Sequence, residues 1–316
     1  MKKSHAEWIA KFSSFKTWQQ KGVRAPHKPL LTLLLLRRSM DEINPQVTFG
    51  EVSEQLGRLL KEFGPRRRSY HPEFPFWHLQ NEGFWRVSST FDLERKKPGS
   101  SPTSAALRKD GVYGEVSPEL WQALKSDPYL ISLLADTVLH QFWPETLHES
   151  IRNAIGLPAV VMSQTIKRKR DPEFRVNVLR AYRSTCVICG LDGRLGGIPL
   201  GIDAGHIKWH SCNGPDSLKN GLALCSFHHV ALDSGAISLN DNMRIIISVD
   251  LTGGRRIDEV IYKYEGREIM FPQPGFDPPG IEYLQWHRKE VFRSPGRLLR
   301  NEENVLMAAE PEPSDY

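Results

Sequence analysis

Two short pairs, Cys186-x-x-Cys189 and Cys225-x-x-His228, restrict the fold of this chain more than any other feature. Zinc takes thiolate and imidazole ligands in a tetrahedron, and two ligands separated by two residues can chelate from one tight turn. Each pair supplies one knuckle, and 35 residues lie between them. A structural Zn2+ held by Cys186, Cys189, Cys225 and His228 must therefore bracket a folded element of its own. Buried thiols without an ion are the alternative, and the neighbouring His229 is a second candidate for the fourth ligand. Cys212 is left over and receives no role. Four cysteines, three of them in metal-ligand spacing, argue against a disulfide framework and for a reducing compartment.

The bracketed segment carries His206, Asn220, His229 and Asp233. Ile202-Asp203-Ala204-Gly205-His206-Ile207 has strand character, and alternation puts Asp203 and Gly205 on the face opposite His206. Phosphodiester hydrolysis needs a base to deprotonate water and a divalent cation to hold the phosphate. His206 suits the first role. Asn220, at a loop end before the apolar Leu222-Ala223-Leu224, is placed so that its amide can fix the His206 ring. His229 and Asp233, four apart on an expected helix, share a face and can converge with Asp203 on one cation. One imidazole with carboxylates suits a hard or borderline ion, Mg2+ or Mn2+. The bland alternative is that both histidines are satisfied core residues.

With 316 residues the chain is long for one domain and comfortable for two. It has no run of eighteen apolar residues, and its N-terminus lacks a secretory pattern. The expectation is a cytoplasmic protein with no membrane association. Net charge is +5, yet residues 301–316 hold five acids and no Lys or Arg. The rest of the chain is thus more basic than the total, which suits a phosphate-rich partner. The sequence is divided as an N-terminal domain 1–155, a basic linker 156–171, a C-terminal domain 172–300 and a disordered acidic tail 301–316.

The fold class expected is α+β. In the N-terminal domain, helices are expected over residues 5–20, from Pro29 through Ser39, and over Val47–Leu60 with a start near Thr48 or Ser53. Ser117-Pro118 and Asp127-Pro128 read as two further helix entries, the second helix running to about Trp143. The aromatic stretch Phe74–Val87 predicts short strands around an Asn81-Glu82-Gly83 turn. In the C-terminal domain the pattern predicts a helix from Pro172 through Tyr182, strands over Met243–Val249 and Ile257–Tyr264, and a last helix over Ile281–Phe292.

Two N-terminal patches, Arg24 to Leu31 and Arg66 to Leu79, set basic residues beside rings, a combination that can bind phosphates and bases together. The alternative keeps Phe74, Phe76 and Trp77 in the core and leaves the arginines as a solvated face.

Asp203-Ala204-Gly205-His206-Ile207, with Asn220-Gly221-Leu222-Ala223-Leu224-Cys225 and His228-His229, resembles the HNH endonuclease family. The resemblance implies a ββα-metal fold with His206 as general base, Asn220 orienting it, and His229 with an aspartate on the metal. Many HNH sites carry a ligand immediately before the base, where this chain has Gly205; Asp203 is the substitute offered here. His27-Lys28-Pro29-Leu30-Leu31 and Phe74-Pro75-Phe76-Trp77-His78-Leu79 are similar to the sulfur-binding domain of phosphorothioation-dependent restriction endonucleases. Tyr283 to Phe292 resembles the C-terminal end of that HNH group. By this resemblance Pro75 with Tyr70, Phe74 and His78 shapes a sulfur cup, while Arg24, His27, Lys28 and Arg108 grip the DNA backbone. The implied protein is a type IV restriction endonuclease, expected as a homodimer, acting on double-stranded DNA that carries phosphorothioate. A 5-methylcytosine-dependent HNH endonuclease and a non-cleaving DNA-binding module with a degenerate HNH fold are the rival readings.

Overall fold

Short capping signals start most of the long N-terminal helices. In a computed structural model of the chain, residues 3–15, 26–41, 44–93, 100–158 and 172–297 are described. They divide into two compact units, Met1–Arg168 and Lys169–Tyr316. Arg24, Trp18, most of the 156–171 stretch and the acidic tail lie outside the described residues.

The first unit contains α1 (His5–Ser13), α2 (His27–Asp41), α3 (Phe49–Phe63), α4 (Glu73–His78), α5 (Ser104–Leu107), α6 (Pro118–Ser126), α7 (Pro128–Phe142) and α8 (Glu145–Ile155). Thr48 opens α3 with a capping box: its hydroxyl accepts from the Glu51 N–H while the Glu51 carboxylate takes the Thr48 N–H. Ser117 and Asp127 cap α6 and α7, each followed by proline at the first helical position. α2 is buried on every side from Pro29 to Leu36, which makes it the central rod. It packs against α3, α4, α6, α7 and α8. An antiparallel sheet of β1 (Gln46–Val47), β2 (Trp85–Ser89) and β3 (Val112–Val116), in the order β1-β3-β2, completes the unit.

The Phe74–Val87 stretch corrects the sequence reading. Residues 73–78 are helical, 79–82 form a 3-10 turn, and only β2 is strand. Pro72 and Pro75 lie at the start of α4, where missing N–H groups cost little. Phe76 then packs edge-on against Phe49 at 5.3 Å and Trp85 at 5.3 Å, and Trp85 Nε1 donates to the Phe76 carbonyl at 2.8 Å.

The second unit contains α9 (Pro172–Ala181), β4 (Arg194–Leu195), β5 (Ile198–Pro199), β6 (Ile202–His206), β7 (Gly221–Cys225), α10 (Ser226–Asp233), β8 (Ile237–Leu239), β9 (Ile245–Ile247), α11 (Arg255–Val260) and α12 (Ile281–Glu290). β6 and β7 pair antiparallel with Ile202 opposite Cys225 and His206 opposite Gly221. α9 and α10 both pack on this hairpin. Burial on both faces accounts for the unbroken apolar run Leu222-Ala223-Leu224. Residues 257–264, expected as strand, are helical: α11 covers Arg255–Val260 and a 3-10 turn follows. Ile257, Val260 and Ile261 have the helical i, i+3, i+4 spacing that the strand reading missed, and Arg255 and Arg256 pair with Glu259 along the helix.

Candidate active site and metal centre

The two knuckles meet. The donor atoms of Cys186, Cys189, Cys225 and His228 lie within 4.8 Å of one another, the one such group of three or more among the described residues. Zinc–sulfur and zinc–nitrogen bonds of about 2.3 and 2.0 Å imply tetrahedral edges of about 3.5 Å (S···N) and 3.8 Å (S···S). His228 Nδ1 lies 3.6 Å from Cys186 Sγ and 3.1 Å from Cys225 Sγ, and Cys189 Sγ lies 4.0 Å from Cys225 Sγ. The donor set fits a tetrahedral cation. His228 Nε2 donates to the Val260 carbonyl at 2.9 Å, the outer bond that leaves Nδ1 to face the sulfurs. Burial opposes charge on this ring, but the sulfurs of Cys186 and Cys225 outweigh it and lift its pKa to about 9. His228, rather than His229, is the fourth member.

β6 presents the next groups. His206 is its last residue, and its ring stacks on Phe174 of α9 at 4.1 Å and 14°. His206 Nε2 lies 2.7 Å from Asp216 Oδ1, a carboxylate that the sequence reading did not single out. Asp216 Oδ2 is 3.9 Å from His210 Nε2. On the opposite face the His229 ring lies over Gly205, where a Cβ would stand 3.0 Å from its Cδ2 and 3.1 Å from its Nε2. His229 Nε2 is 3.4 Å from Asp233 Oδ2 along α10, as the i, i+4 spacing required. The base candidate thus ends β6, while the imidazole–carboxylate pair, carried by α10, lies against the residue before it on the opposite face.

Asp203 is not gathered with them. Its carboxylate accepts from Arg175 Nε at 2.7 Å and from the Ala204 N–H at 2.9 Å, and no His229–Asp233–Asp203 group closes within the 4.8 Å that the cysteine cluster meets. Asn220 also differs from the expectation. Fully buried, it accepts from the Lys208 N–H at 2.8 Å and donates to the carbonyls of Lys208 and Pro215 at 2.9 and 3.0 Å, so its amide ties the loop after His206. The only sequence signal for Asp216 was a carboxylate in the Gly214-Pro215-Asp216 turn between His206 and Asn220.

In the first unit the N-terminal half of α4 carries Phe74 and Pro75, with His78 at its end. Pro75 is buried, whereas Phe74 is half exposed and stacks on His71 at 5.0 Å. Tyr70 accepts from the Arg67 N–H at 3.4 Å through its hydroxyl, and His78 Nε2 meets Ser101 Oγ at 2.8 Å. Lys28 pairs with Glu82 at 2.6 Å, so part of its charge is already met. Burial, then the charges of Arg67 and His71, push His27 down to about 4, which leaves it a neutral donor rather than a cation near pH 7. Arg108 Nη2 donates to Ser53 Oγ at 2.8 Å and its guanidinium lies over Phe49.

Residues 5–160 match the family model described as ScoMcrA-like, DNA sulfur-binding domain, and residues 186–240 match that of HNH endonuclease. No curated protein matches the chain. Among solved structures, the sulfur binding domain of ScoMcrA complexed with phosphorothioated DNA is 17% identical with a TM-score of 0.42, over 47% of this chain and 94% of that one. The corresponding domain of SprMcrA is 17% identical with a TM-score of 0.39, over 49% and 95%. The type IV phosphorothioation-dependent restriction endonuclease ScoMcrA is 15% identical with a TM-score of 0.39, over 46% of this chain and 32% of that one. This chain thus covers about a third of the length of that enzyme. Among the described residues no helix is long and apolar enough to cross a membrane. The two family matches thus fall one on each unit, a ScoMcrA-like DNA sulfur-binding domain over residues 5–160 and an HNH endonuclease domain over residues 186–240.

Proposed function

We propose that the protein is a type IV restriction endonuclease in which residues 1–155 bind phosphorothioate-bearing double-stranded DNA and residues 172–300 hydrolyse a nearby phosphodiester. The reading is carried by the presence of a sulfur-binding domain and an HNH domain in one chain. The site geometry supports it: His206 ends β6, and the His229–Asp233 pair lies over the residue before it.

In the reaction His206 takes a proton from water. The hydroxide oxygen bonds to phosphorus, and the bond from phosphorus to the leaving sugar oxygen breaks. His229 and Asp233 would hold a divalent cation, Mg2+ or Mn2+, which when bound would polarise the phosphoryl group and stabilise the leaving oxygen. Cys186, Cys189, Cys225 and His228 would hold Zn2+, which would tie the N-terminal end of α10 to the Cys186–Cys189 turn. Gly205 takes no part in ligation, and Asp203 contributes from the strand edge only if Arg175 releases it.

Recognition of sulfur follows from its size and weak hydration. An apolar cup around Pro75, with Tyr70, Phe74 and His78 at its rim, accepts sulfur but strips water from an oxygen without replacing its hydrogen bonds. Arg24, His27, Lys28 and Arg108 contact the adjoining phosphates. One HNH site cuts one strand, so a homodimer is the economical route to a double-strand break. The test uses matched plasmids with and without phosphorothioate, and a methylated control, in Mn2+. Cutting confined to the sulfur-bearing plasmid is the expected result; cutting only of methylated DNA, or none at all, would overturn it.

A further inference from the structure

We infer that Asp216 is the positioning carboxylate of the cutting site: it fixes the tautomer and plane of the His206 ring so that Nδ1 is the atom that receives the proton of water. The inference rests on the nuclease reading above and deepens it.

The first observation is the contact itself. Asp216 Oδ1 lies 2.7 Å from His206 Nε2, and the two side chains are only 16% and 10% exposed. An ionised carboxylate can only accept, so Nε2 carries the hydrogen of this bond. A neutral imidazole protonated on Nε2 has its lone pair on Nδ1. Low exposure matters because water competes poorly for either partner there. As proton leaves water for Nδ1, the ring becomes a cation beside a carboxylate already in place, and no solvent has to reorganise to meet that charge.

The second observation is that the ring has little rotational freedom. Phe174 lies 4.1 Å away and nearly parallel, so one face of the imidazole is occupied by carbon. The ring plane and the Nε2 direction are thereby fixed by different elements, α9 and the 208–216 loop.

The third observation explains why a carboxylate ten residues downstream returns to the base. Asn220 binds both strands of that loop, through Lys208 at its start and the Pro215 carbonyl at its end. The Gly214 N–H donates to the Trp209 carbonyl at 3.0 Å inside the same loop. The last carbonyl that Asn220 holds belongs to the residue next to Asp216. Asn220 therefore acts on His206 through the placement of Asp216 and not by touching the ring.

The experiment uses the full chain loaded with metal. Long-range proton–nitrogen spectra report which nitrogen of the His206 ring carries hydrogen, and single-turnover cleavage at saturating phosphorothioate duplex reports the chemical step. Wild type is expected to show the Nε2–H tautomer. Asp216→Ala is expected to show mixed tautomers, a cleavage rate constant lower by roughly 100-fold, and a DNA Kd within about twofold of wild type. A wild-type ring protonated on Nδ1 overturns the inference, and needs no variant that folds. A rate loss in Asp216→Ala with an unchanged tautomer also overturns it, because the carboxylate would then only brace the loop. Absence of cleavage by wild type sinks the nuclease reading instead, and the ring spectrum still decides the pairing.

Discussion

Replacing Gly221 with alanine tests how the packing of α9 reaches the base. A methyl at Gly221 would stand 2.5 Å from Val178 Cγ2 and 3.1 and 3.2 Å from Phe174 Cε2 and Cζ. Carbon–carbon contacts settle near about 3.5–4.0 Å, so α9 must retreat by roughly 1 Å. Overpacking of this kind costs about 1–3 kcal/mol. A loss of about 2 kcal/mol lowers the melting point of a unit this size by roughly 5–10 °C. The retreat also carries Phe174 off the His206 ring, and a displacement near 1 Å at reacting groups is worth on the order of 100-fold in rate. Calorimetry on the full chain should therefore show a lowered transition for the nuclease unit, and single-turnover cleavage should slow between about 10- and 100-fold. Val178→Ala removes the closest obstacle. The double variant should lose less than the sum of the single losses, with a coupling of about 0.5–3 kcal/mol. Strict additivity, or a Gly221→Ala protein that melts and cuts like wild type, would refute the argument.

His206→Ala should abolish cleavage while DNA affinity stays unchanged; equal loss of both would make this histidine a structural residue. Chelation should melt the second unit and spare the transition of the first, because structural zinc supplies about 10–16 kcal/mol against a domain stability of about 5–15. Metal analysis should find one zinc per wild-type chain and none in Cys186→Ser, and a second transition that survives a verified loss of zinc would end that claim. The N-terminal unit should weaken in mild acid. Burial holds His27 and His148 down to about 4, while the unfolded chain protonates them near 6.5. Stability is therefore full above about pH 6.5 and declines toward pH 4, by up to roughly 2 kcal/mol per histidine at pH 5. A urea midpoint that rises on going from pH 7 to pH 5 contradicts this sign.

Signals confined to a few neighbouring residues were legible in the sequence. Thr48, Ser117-Pro118 and Asp127-Pro128 open their helices where local hydrogen bonding demands, and the i, i+4 pair His229–Asp233 needs only a helix beneath it. The cysteine cluster was legible because its ligand chemistry is specific. Segments whose structure depends on distant partners were misread. Residues 73–78 look like strand by their aromatics, and become helix because Phe76 finds Phe49 and Trp85. Asp203 matched the alternation expected of a ligand, yet Arg175, 28 residues earlier, takes its carboxylate. Asn220 was assigned to the ring because the spacing could not reveal the loop it ties. Asp216 was passed over for the same reason: its value depends on a turn that returns it to His206.

His287 in α12 is fully buried, with Nδ1 2.8 Å from Ser238 Oγ and Nε2 donating to the Leu232 carbonyl at 3.0 Å. Leu232 precedes Asp233 on α10, and the Val260 carbonyl braces His228 at the other end of that helix. The recognisable motif ends at residue 240, but both ends of its helix lean on backbone and side chains from 20 to 47 residues beyond it. A cassette cut at the motif boundary for grafting onto another reader would keep every ligand and lose the struts, so the smallest portable cutter extends through α12.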